Sequence, residues 1–319
     1  MRVLVGDIGG TKTSLALASV GDEIEIGEPR RHASASADSL TSLVRRHLDE
    51  TGIDCEAAVF AVAGPVLNDR CKTTNLPWEL DARALERELG LAEVRLLNDL
   101  EAVAWAVPAL RPDQLHGLHE GEPPPAGGNA CVIAAGTGLG VAGMCWDGQR
   151  HHPFATEAGH ADFAPRTELE FGLLRHLQRR HSHVSWERVV SGQGIVNTFE
   201  FLLDWRGAAA PDWLDQPEPA AAIAQAAARG SCSISVETME LFASLYARVI
   251  GDLALAHMAV GGVYLAGGVT LSNRRLLIRD SFVQAVFDKG RMGALLRRMP
   301  IRVILDEHVA LLGAARFSI

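Results

Sequence analysis

A turn that occurs twice constrains the fold of this chain most. The first copy, Gly6-Asp-Ile-Gly-Gly-Thr-Lys12, follows a short apolar run, and so does the second, Gly136-Thr-Gly-Leu-Gly140. Another apolar run comes after each turn. Glycines let backbone N–H groups approach a ligand, and such groups with threonine hydroxyls form an anion-binding nest. One nest in each half of the chain predicts two domains that close on a phosphorylated ligand.

Two commoner phosphate-binding motifs do not fit. The sequence contains no Gly-Lys-Ser/Thr, which excludes a Walker A loop. Gly138-Leu-Gly140-Val-Ala-Gly143 matches G-x-G-x-x-G, but a dinucleotide-binding motif opens a helix. Here the chain continues as an apolar run to Trp146 and reaches the hairpin turn pair Asp147-Gly148. We therefore interpret this segment as strand, turn and strand.

The composition is that of an ordinary globular protein. The chain has 319 residues, of which 48% are hydrophobic and 22% charged, so two domains with sizeable cores are expected. A net charge of −9 gives no reason to expect nucleic acid or an anionic membrane as a partner. The five cysteines are widely spaced without a CxxC pair, which argues against a disulfide framework and a cysteine zinc site. The N-terminus shows no signal-peptide pattern, and we expect a cytoplasmic protein.

The hydrophobic patterning predicts strands that alternate with helices, which favours the α/β class. A hairpin is predicted over 2–18, and a short strand over 94–97 leads to Asn98-Asp99 and a helix. The proline- and glycine-rich segment 119–129 is the best linker candidate. The uncharged stretch 253–271 is interrupted by glycine pairs, so we interpret it as a helix end, a strand and a turn. Further helices are predicted at 39–50, 82–89, 168–183, 196–203, 236–258 and 310–317, and further strands at 57–62, 263–266 and 301–305.

Asn98-Asp99 stands at a strand-to-helix boundary, where two interpretations of Asp99 are open. Aspartate is a preferred N-cap, and its carboxylate suits the helix dipole. A carboxylate at the carboxyl end of an α/β strand also stands where such enzymes place their chemistry. There it could take a proton from an attacking hydroxyl, as in phosphoryl transfer.

Three further polar side chains are candidates for binding a small polar ligand. Glu157-Ala-Gly-His160 places an acid and an imidazole around two small residues, although a surface loop would look the same. Glu187 could equally be a solvated acid at a helix start. The scattered histidines form no HExxH motif, so they give no zinc signature.

Asp7, Lys12 and Asn75 are candidates near phosphate. Asp7 precedes the first glycine turn, where its hard oxygens could hold Mg²⁺, or it could only cap local N–H groups. Lys12 could neutralise phosphate charge or be an ordinary exposed lysine. Asn75 is a turn-type residue in Thr73-Thr-Asn-Leu-Pro-Trp78.

The order of these motifs carries more information than any one of them, and it resembles the bacterial glucokinase family. The motifs that carry the resemblance are Asp7-Ile-Gly-Gly-Thr11, Thr74-Asn75, Leu97-Asn98-Asp99, Gly136-Thr-Gly-Leu-Gly140, Glu157-Ala-Gly-His160, Glu187-Arg-Val-Val-Ser-Gly192 and Leu265-Ala-Gly-Gly268. The resemblance extends through His308 to Ala315, over essentially the whole chain.

The resemblance implies an actin-like ATPase (ribonuclease H-like) α/β fold with a cleft between a small and a larger domain. We expect the small domain at 1–108 and the large one at 109–305, with 306–319 packing back onto the small one. The implied reaction is ATP-dependent phosphorylation of D-glucose at the 6-hydroxyl. The implied roles are a general base (Asp99), ligands of the other hydroxyls (Asn75, Asn98, Glu157, His160, Glu187), holders of phosphate and Mg²⁺ (Asp7, Gly9, Gly10, Thr11, Lys12, Gly136, Thr137, Gly138) and a wall against adenosine (Gly267, Gly268).

The chain departs from related patterns at four places. ROK sugar kinases carry a cysteine-rich zinc loop after E-x-G-H, whereas Ala161-Asp-Phe-Ala-Pro165 follows here, so no structural zinc is expected. Lys12 replaces the Asn of some glucokinases. Ala158 replaces a frequent Gly, and Gln193 a common Pro. These changes could alter sugar or nucleotide preference without removing the chemistry.

Alternative functions stay open from the sequence. The chain could phosphorylate mannose, fructose or an amino sugar, or use ADP or polyphosphate as donor, and a homodimer is an open option. An inactive sugar-binding regulator is disfavoured because Asp99 and both glycine turns are present. A structural protein of the actin class is disfavoured by the candidate sugar ligands.

Overall fold

The computed structural model describes residues 1–21, 23–52, 54–73 and 76–318. Within these residues the strands are β1 (Arg2–Ile8), β2 (Lys12–Val20), β3 (Ile24–Ile26), β4 (Arg30–Ala33), β5 (Ala57–Val62), β6 (Val66–Leu67), β7 (Arg70–Lys72), β8 (Glu79–Asp81), β9 (Glu93–Asn98), β10 (Leu115–His119), β11 (Ala130–Ala135), β12 (Leu139–Trp146), β13 (His151–Thr156), β14 (Gly262–Ala266) and β15 (Ile301–Ile304). The α-helices are α1 (Leu40–Thr51), α2 (Ala82–Leu89), α3 (Asp99–Ala106), α4 (Glu168–Gln178), α5 (Gly192–Arg206), α6 (Pro219–Arg229), α7 (Ser233–His257), α8 (Gly268–Ser272), α9 (Arg274–Leu277), α10 (Asp280–Val286), α11 (Gly293–Leu296) and α12 (Val309–Phe317).

The chain divides into two compact units. The first contains residues 1–114, 142–155 and 306–319, and the second contains 115–141 and 156–305. The expected domains differ from these units in the assignment of 109–114 and 142–155. The segment 119–129, expected to be a linker, lies inside the second unit, where the N–H of Glu122 donates to the carbonyl of Arg298 at 2.8 Å.

The first unit is built on a mixed sheet with the strand order β3-β2-β1-β5-β9, and β4 also pairs with β2. β1 pairs with β2 antiparallel, as the hairpin pattern predicts, whereas β1, β5 and β9 are parallel. Ile8 is opposite Val62, and Val62 is opposite Asn98. The carboxyl ends of three strands therefore meet at one sheet edge. This edge carries the first glycine turn and Asn98-Asp99.

Local signals explain the helices of the first unit. Ser39 caps α1 by accepting from the N–H of Ser42, Asp81 caps α2, and Gly90 ends α2 in the left-handed conformation. α12 packs on α3 so closely that a Cβ on Gly313 would collide with the carbonyl of Ala102. Glycine at this position therefore permits close packing of the C-terminal helix within the first unit.

The second unit contains the sheet order β10-β15-β14-β11, with β11, β14 and β15 parallel. Its core surrounds α7, which buries Phe242, Leu245, Tyr246 and Val249. The stretch 253–271 forms the end of α7 and the strand β14, as predicted, but the segment from Gly268 onward, predicted to be a turn, begins the short helix α8. In the described part of the chain, no helix combines the length and the apolar character that a membrane crossing requires.

The largest errors among the predicted helix boundaries of the second unit are the end of α4 and the start of α5. α4 ends at Gln178 rather than at 183, and the polar Arg179-Arg-His-Ser-His183 run that follows it is outside the helix. α5 begins at Gly192, four residues before the predicted start, because Ser191 acts as its N-cap. The Ser191 hydroxyl accepts from the N–H of Gly194 at 2.9 Å and donates to the carbonyl of Glu187 at 2.7 Å.

Candidate active site

The first glycine turn is tied into the sheet of the first unit. The N–H of Gly9 donates to the carbonyl of Lys12 at 3.0 Å, and a Cβ on Gly9 would stand 2.9 Å from the same oxygen. Glycine is therefore required there. Within the described residues, the N–H groups of Gly10 and Thr11 have no protein acceptor. The turn can present them to an anion.

Ser34 supports this turn, although no motif in the sequence pointed to this residue. Its side chain is fully buried, and its hydroxyl donates to the carbonyl of Gly9 at 2.7 Å. Its N–H donates to the carbonyl of Thr11 at 3.0 Å, and its hydroxyl lies 3.0 Å from that of Thr13. A residue more than 20 positions away thus fixes both sides of the turn.

Asp7 is half-buried in β1, next to the turn. Burial raises the pKa of this carboxyl from 3.8 to about 6, and attraction to His308 opposes the rise. Lys12, at the start of β2, is exposed. A carboxylate oxygen is a ligand that Mg²⁺ accepts, and a cation would stabilise the charge that burial disfavours. The donor set of Asp7 therefore fits a magnesium-bound nucleotide.

Asn98, rather than Asp99, is the N-cap of α3. The amide oxygen of Asn98 accepts from the N–H groups of Leu100 and Glu101, and its nitrogen donates to the carbonyl of Gly64 at 3.1 Å. The N-cap interpretation of Asp99 was therefore wrong, because the neighbouring amide occupies that position. Asp99 is the first helical residue and half-buried, and its carboxylate accepts from the N–H of Leu100 at 2.9 Å. Asn75 lies outside the described residues.

The second glycine turn lies at the carboxyl edge of the parallel strands of the second unit. Gly136 donates to the carbonyl of Gly138 at 2.9 Å and accepts from the N–H of Gly192 at 2.8 Å. In the portion of the chain that is described, the N–H groups of Thr137 and Gly138 have no protein acceptor. This turn thus resembles the first in presenting two backbone donors.

Gly267 lies beside this turn, because Ala134 of β11 is opposite Ala266 of β14. Its φ of +93° disfavours any residue with a side chain, and a Cβ there would collide with the backbone of Ala135. Gly268, which begins α8, has open space where a Cβ would point. The backbones of the turn Gly136–Gly138 and of Gly267–Gly268 therefore lie side by side.

Three candidate sugar ligands lie around Leu139. The N–H of Leu139 donates to Glu187 Oε2 at 3.0 Å, and Gly159 packs against the carbonyl of Leu139. Gly159 stands between Glu157 and His160. Oε2 of Glu157 and Nε2 of His160 are 4.0 Å apart, and both side chains are about half exposed. The structure thus brings Glu157, His160 and Glu187 together within the second unit. One oxygen of Glu187 is already held by the backbone.

A buried arginine lies against Trp186, the residue that precedes Glu187 in the chain. Arg248 of α7 donates to Glu170 Oε2 at 2.5 Å and to the carbonyl of Ala164 at 2.6 Å. Its guanidinium also lies over the ring of Trp186, 5.9 Å from the ring centroid. It is the one charged residue in the apolar run 241–251, a signal that the sequence analysis overlooked. Among the described residues, no group of three or more His, Cys, Asp or Glu could hold a metal.

The glucokinase family model matches residues 4–318 of the chain. The chain belongs to the glucokinase family. It is 39% identical to a glucokinase of Nostoc sp. (strain PCC 7120 / SAG 25.82 / UTEX 2576), an alignment that covers 98% of this chain and 97% of the relative. It is 35% identical to a glucokinase of Mesorhizobium japonicum, over 99% of this chain and 91% of the relative.

The solved structures agree with this assignment. The crystal structure of glucokinase from an Antarctic psychrotroph has a TM-score of 0.84 and 30% identity, with 99% of this chain and 98% of that chain covered. A ROK family glucokinase from Streptomyces griseus, solved in complex with glucose and AMPPNP, has a TM-score of 0.68 and 22% identity, with 99% of each chain covered. The predicted actin-like ATPase fold is confirmed. The enzyme phosphorylates glucose at the expense of ATP.

Proposed function

We propose that Asp99 is the general base of this glucose phosphorylation. The observation that supports it is the register of β1, β5 and β9, which puts Asp99 at the same sheet edge as Gly9, Gly10 and Thr11. With a strand spacing of about 4.8 Å, β1 and β9 are roughly 10 Å apart at this edge. A glucose 6-hydroxyl at Asp99 and a terminal phosphate at the turn can share this space.

In this reaction the protein itself transfers only one proton. Asp99 takes the proton of the 6-hydroxyl as that oxygen bonds to the γ-phosphorus, and the bond from phosphorus to the oxygen bridging to ADP breaks. Most of the rate enhancement comes from positioning and charge neutralisation, because the transition state is loose. Asn98 orients Asp99 through the helix that it caps, and its amide also faces sugar hydroxyls.

The other sugar hydroxyls are bound by Glu157, His160 and Glu187, with Asn75 as a further ligand. Support comes from the position of the first three around Leu139 and from the half-exposed carboxylate and imidazole of Glu157 and His160. A site built for hydroxyl groups rejects analogues that lack one, because its polar groups then lose a partner.

The phosphates are held by Gly9–Lys12 and by Gly136–Gly138, and adenosine lies against Gly267 and Gly268. The backbone donors of Gly10, Thr11, Thr137 and Gly138 support this assignment. Mg²⁺ would be held at Asp7, through water, and would neutralise charge on the phosphates. A cytoplasmic location belongs to the same proposal.

Replacement of Asp99 by asparagine tests the central role. Asp99→Asn keeps the shape of the side chain but cannot take the proton, so we expect kcat to fall by about 10²- to 10⁴-fold while the KM for glucose changes little. Folding is preserved because Asn98 supplies the helix cap. The measurement is a coupled assay of ADP formation at saturating glucose and ATP.

Glu101→Gln is the matched control, because Glu101 is another acid in the first turn of α3. It removes a negative charge from the same helix end without touching the proposed base, and kcat is expected to stay within about twofold of the wild type. An Asp99→Asn enzyme that keeps most of its turnover, or a Glu101→Gln enzyme that loses as much, would remove Asp99 from the base role.

A further inference from the structure

Tyr246 is a fully buried tyrosine whose hydroxyl group has its partner, Thr270, close to one glycine segment of the second unit. It stands in the middle of α7, and its ring packs against Phe242 and Phe282, with centroids 5.8 Å and 6.0 Å away. An apolar core needs a ring there but no hydroxyl. The hydroxyl therefore requires its own explanation.

The partners of this hydroxyl lie next to the two segments of the second unit that the proposed function assigns to the nucleotide. Its oxygen lies 2.8 Å from Oγ1 of Thr270, which is itself fully buried in α8, two residues after Gly268. Burial raises the pKa of Tyr246, and a hydrogen bond from the backbone of Ala135, the residue before Gly136, opposes the rise. One side chain thus links the chain beside one glycine segment to the chain beside the other.

The backbone leaves little tolerance in the spacing that this link spans. Gly267 packs directly on the backbone of Ala135, where a Cβ could not fit. Contacts at this place therefore help to set the position of α8 relative to the turn Gly136–Gly138. A buried hydroxyl pair adds a directional restraint that close packing alone does not supply.

We propose that Tyr246 is a positioning residue for the nucleotide, which holds Gly136–Gly138 and Gly267–Gly268 at the spacing that ATP requires. The inference rests on the proposed function, because it takes these two segments as the sites of phosphate and adenosine. Tyr246 itself touches no substrate. Its effect must therefore appear in nucleotide binding and spare the sugar ligands around Leu139.

Tyr246→Phe removes only the hydroxyl and keeps the ring that fills the core. Loss of one buried hydrogen bond corresponds to about a 3- to 10-fold change in an equilibrium constant. We expect the KM for ATP and the Kd for a non-hydrolysable ATP analogue to rise by this factor. The KM for glucose and kcat at saturating ATP should stay within about twofold of the wild type.

Variants of Thr270 test whether the hydroxyl pair is the cause. Thr270→Val should reproduce the nucleotide effect, and Thr270→Ser, which keeps an oxygen, should restore most of the affinity. The double variant Tyr246→Phe with Thr270→Val should be no worse than the more affected single variant, because both remove the same bond.

Phe242→Leu is the control for a merely structural role. Phe242 is buried on the same helix and packs against Tyr246, so its truncation lowers the melting temperature through packing alone. We expect no selective change in the KM for ATP. A Tyr246→Phe enzyme that behaves in the same way, or one that shifts both KM values equally, would overturn the inference.

Failure of this inference differs visibly from failure of the proposed function. If the wild type consumes ATP in a glucose-dependent way and Asp99→Asn is inactive, but Tyr246→Phe binds the analogue normally, only the positioning role is wrong. If Asp99→Asn keeps its turnover, the proposed base is wrong, whatever the Tyr246 variants show.

Discussion

Asp7 is a residue whose proposed role in function is expected to lower the stability of the fold. Its carboxyl has a pKa of about 6 in the folded protein against 3.8 for the free group, because burial disfavours the charge. At 1.36 kcal/mol per pKa unit, the ionised side chain destabilises the metal-free fold by about 3 kcal/mol. Asp7→Asn removes this charge. We therefore expect the variant to be more stable than the wild type at neutral pH.

The pH dependence of this gain has a definite sign. Between pH 3.8 and about 6 the folded protein keeps a proton on Asp7 that the unfolded chain has lost. The wild type therefore loses stability as the pH rises through this window, and the loss is complete above it. The stabilisation by Asp7→Asn should be largest at pH 8, about half as large at pH 5, and absent well below pH 4. The 3 kcal/mol is an upper bound, because the new amide is half-buried too.

The assay is urea unfolding of both proteins in a metal chelator at pH 5 and pH 8. Asp38→Asn is the control, because Asp38 is exposed and its replacement should change the free energy of unfolding by less than about 0.5 kcal/mol. The kcat/KM of Asp7→Asn for ATP with Mg²⁺ should fall. A variant that is less stable than the wild type at pH 8, or whose gain is the same at both pH values, would refute the reasoning.

Two further predictions concern single contacts. Ser34→Ala leaves the carbonyl of Gly9 without its buried donor, so we expect the free energy of unfolding to fall by about 1–3 kcal/mol and the KM for ATP to rise. Urea unfolding measures the first quantity and steady-state kinetics the second. An unchanged KM for ATP would contradict the supporting role of Ser34. Gly159→Ala drives a Cβ into the carbonyl of Leu139 and should destabilise the protein by about 3 kcal/mol or more in thermal unfolding. Gly21→Ala, whose Cβ would have its nearest neighbour 3.9 Å away, is the matched control and should change little.

Local signals in the sequence were sufficient for much of the fold. The strand over 57–62 was predicted with its observed bounds, because an apolar run that begins at Ala57 is stopped by Gly64-Pro65. The helix Ala82–Leu89 was predicted equally well, because Gly90 supplies a left-handed end. The start of α5 was missed because the capping serine precedes two glycines, Gly192 and Gly194, that argue against a helix.

For the active site too, some features could be predicted from the sequence and others could not. The residue types and the order of the motifs could be recognised in the sequence. They predicted membership of the glucokinase family, which the comparisons confirm. The individual roles of Asp99, Glu157, His160 and Glu187 stay predictions. Asn98 and Asp99 show the limit of local reasoning. They are adjacent, and an asparagine or an aspartate can serve equally well as a helix N-cap, so the sequence alone does not tell which of them caps α3.

The sequence by itself determined the α/β elements, the two glycine turns and the family, because hydrophobic period, capping residues and motif order are local properties of the chain. Only the tertiary structure decided which polar groups already have hydrogen-bond partners and which carboxyl group has a shifted pKa. Ser34 reaches Gly9 across 25 positions, Tyr246 reaches Thr270 across 24, and the pKa of Asp7 depends on burial in a sheet. Such contacts arise when distant segments pack together, and no short stretch of sequence contains them.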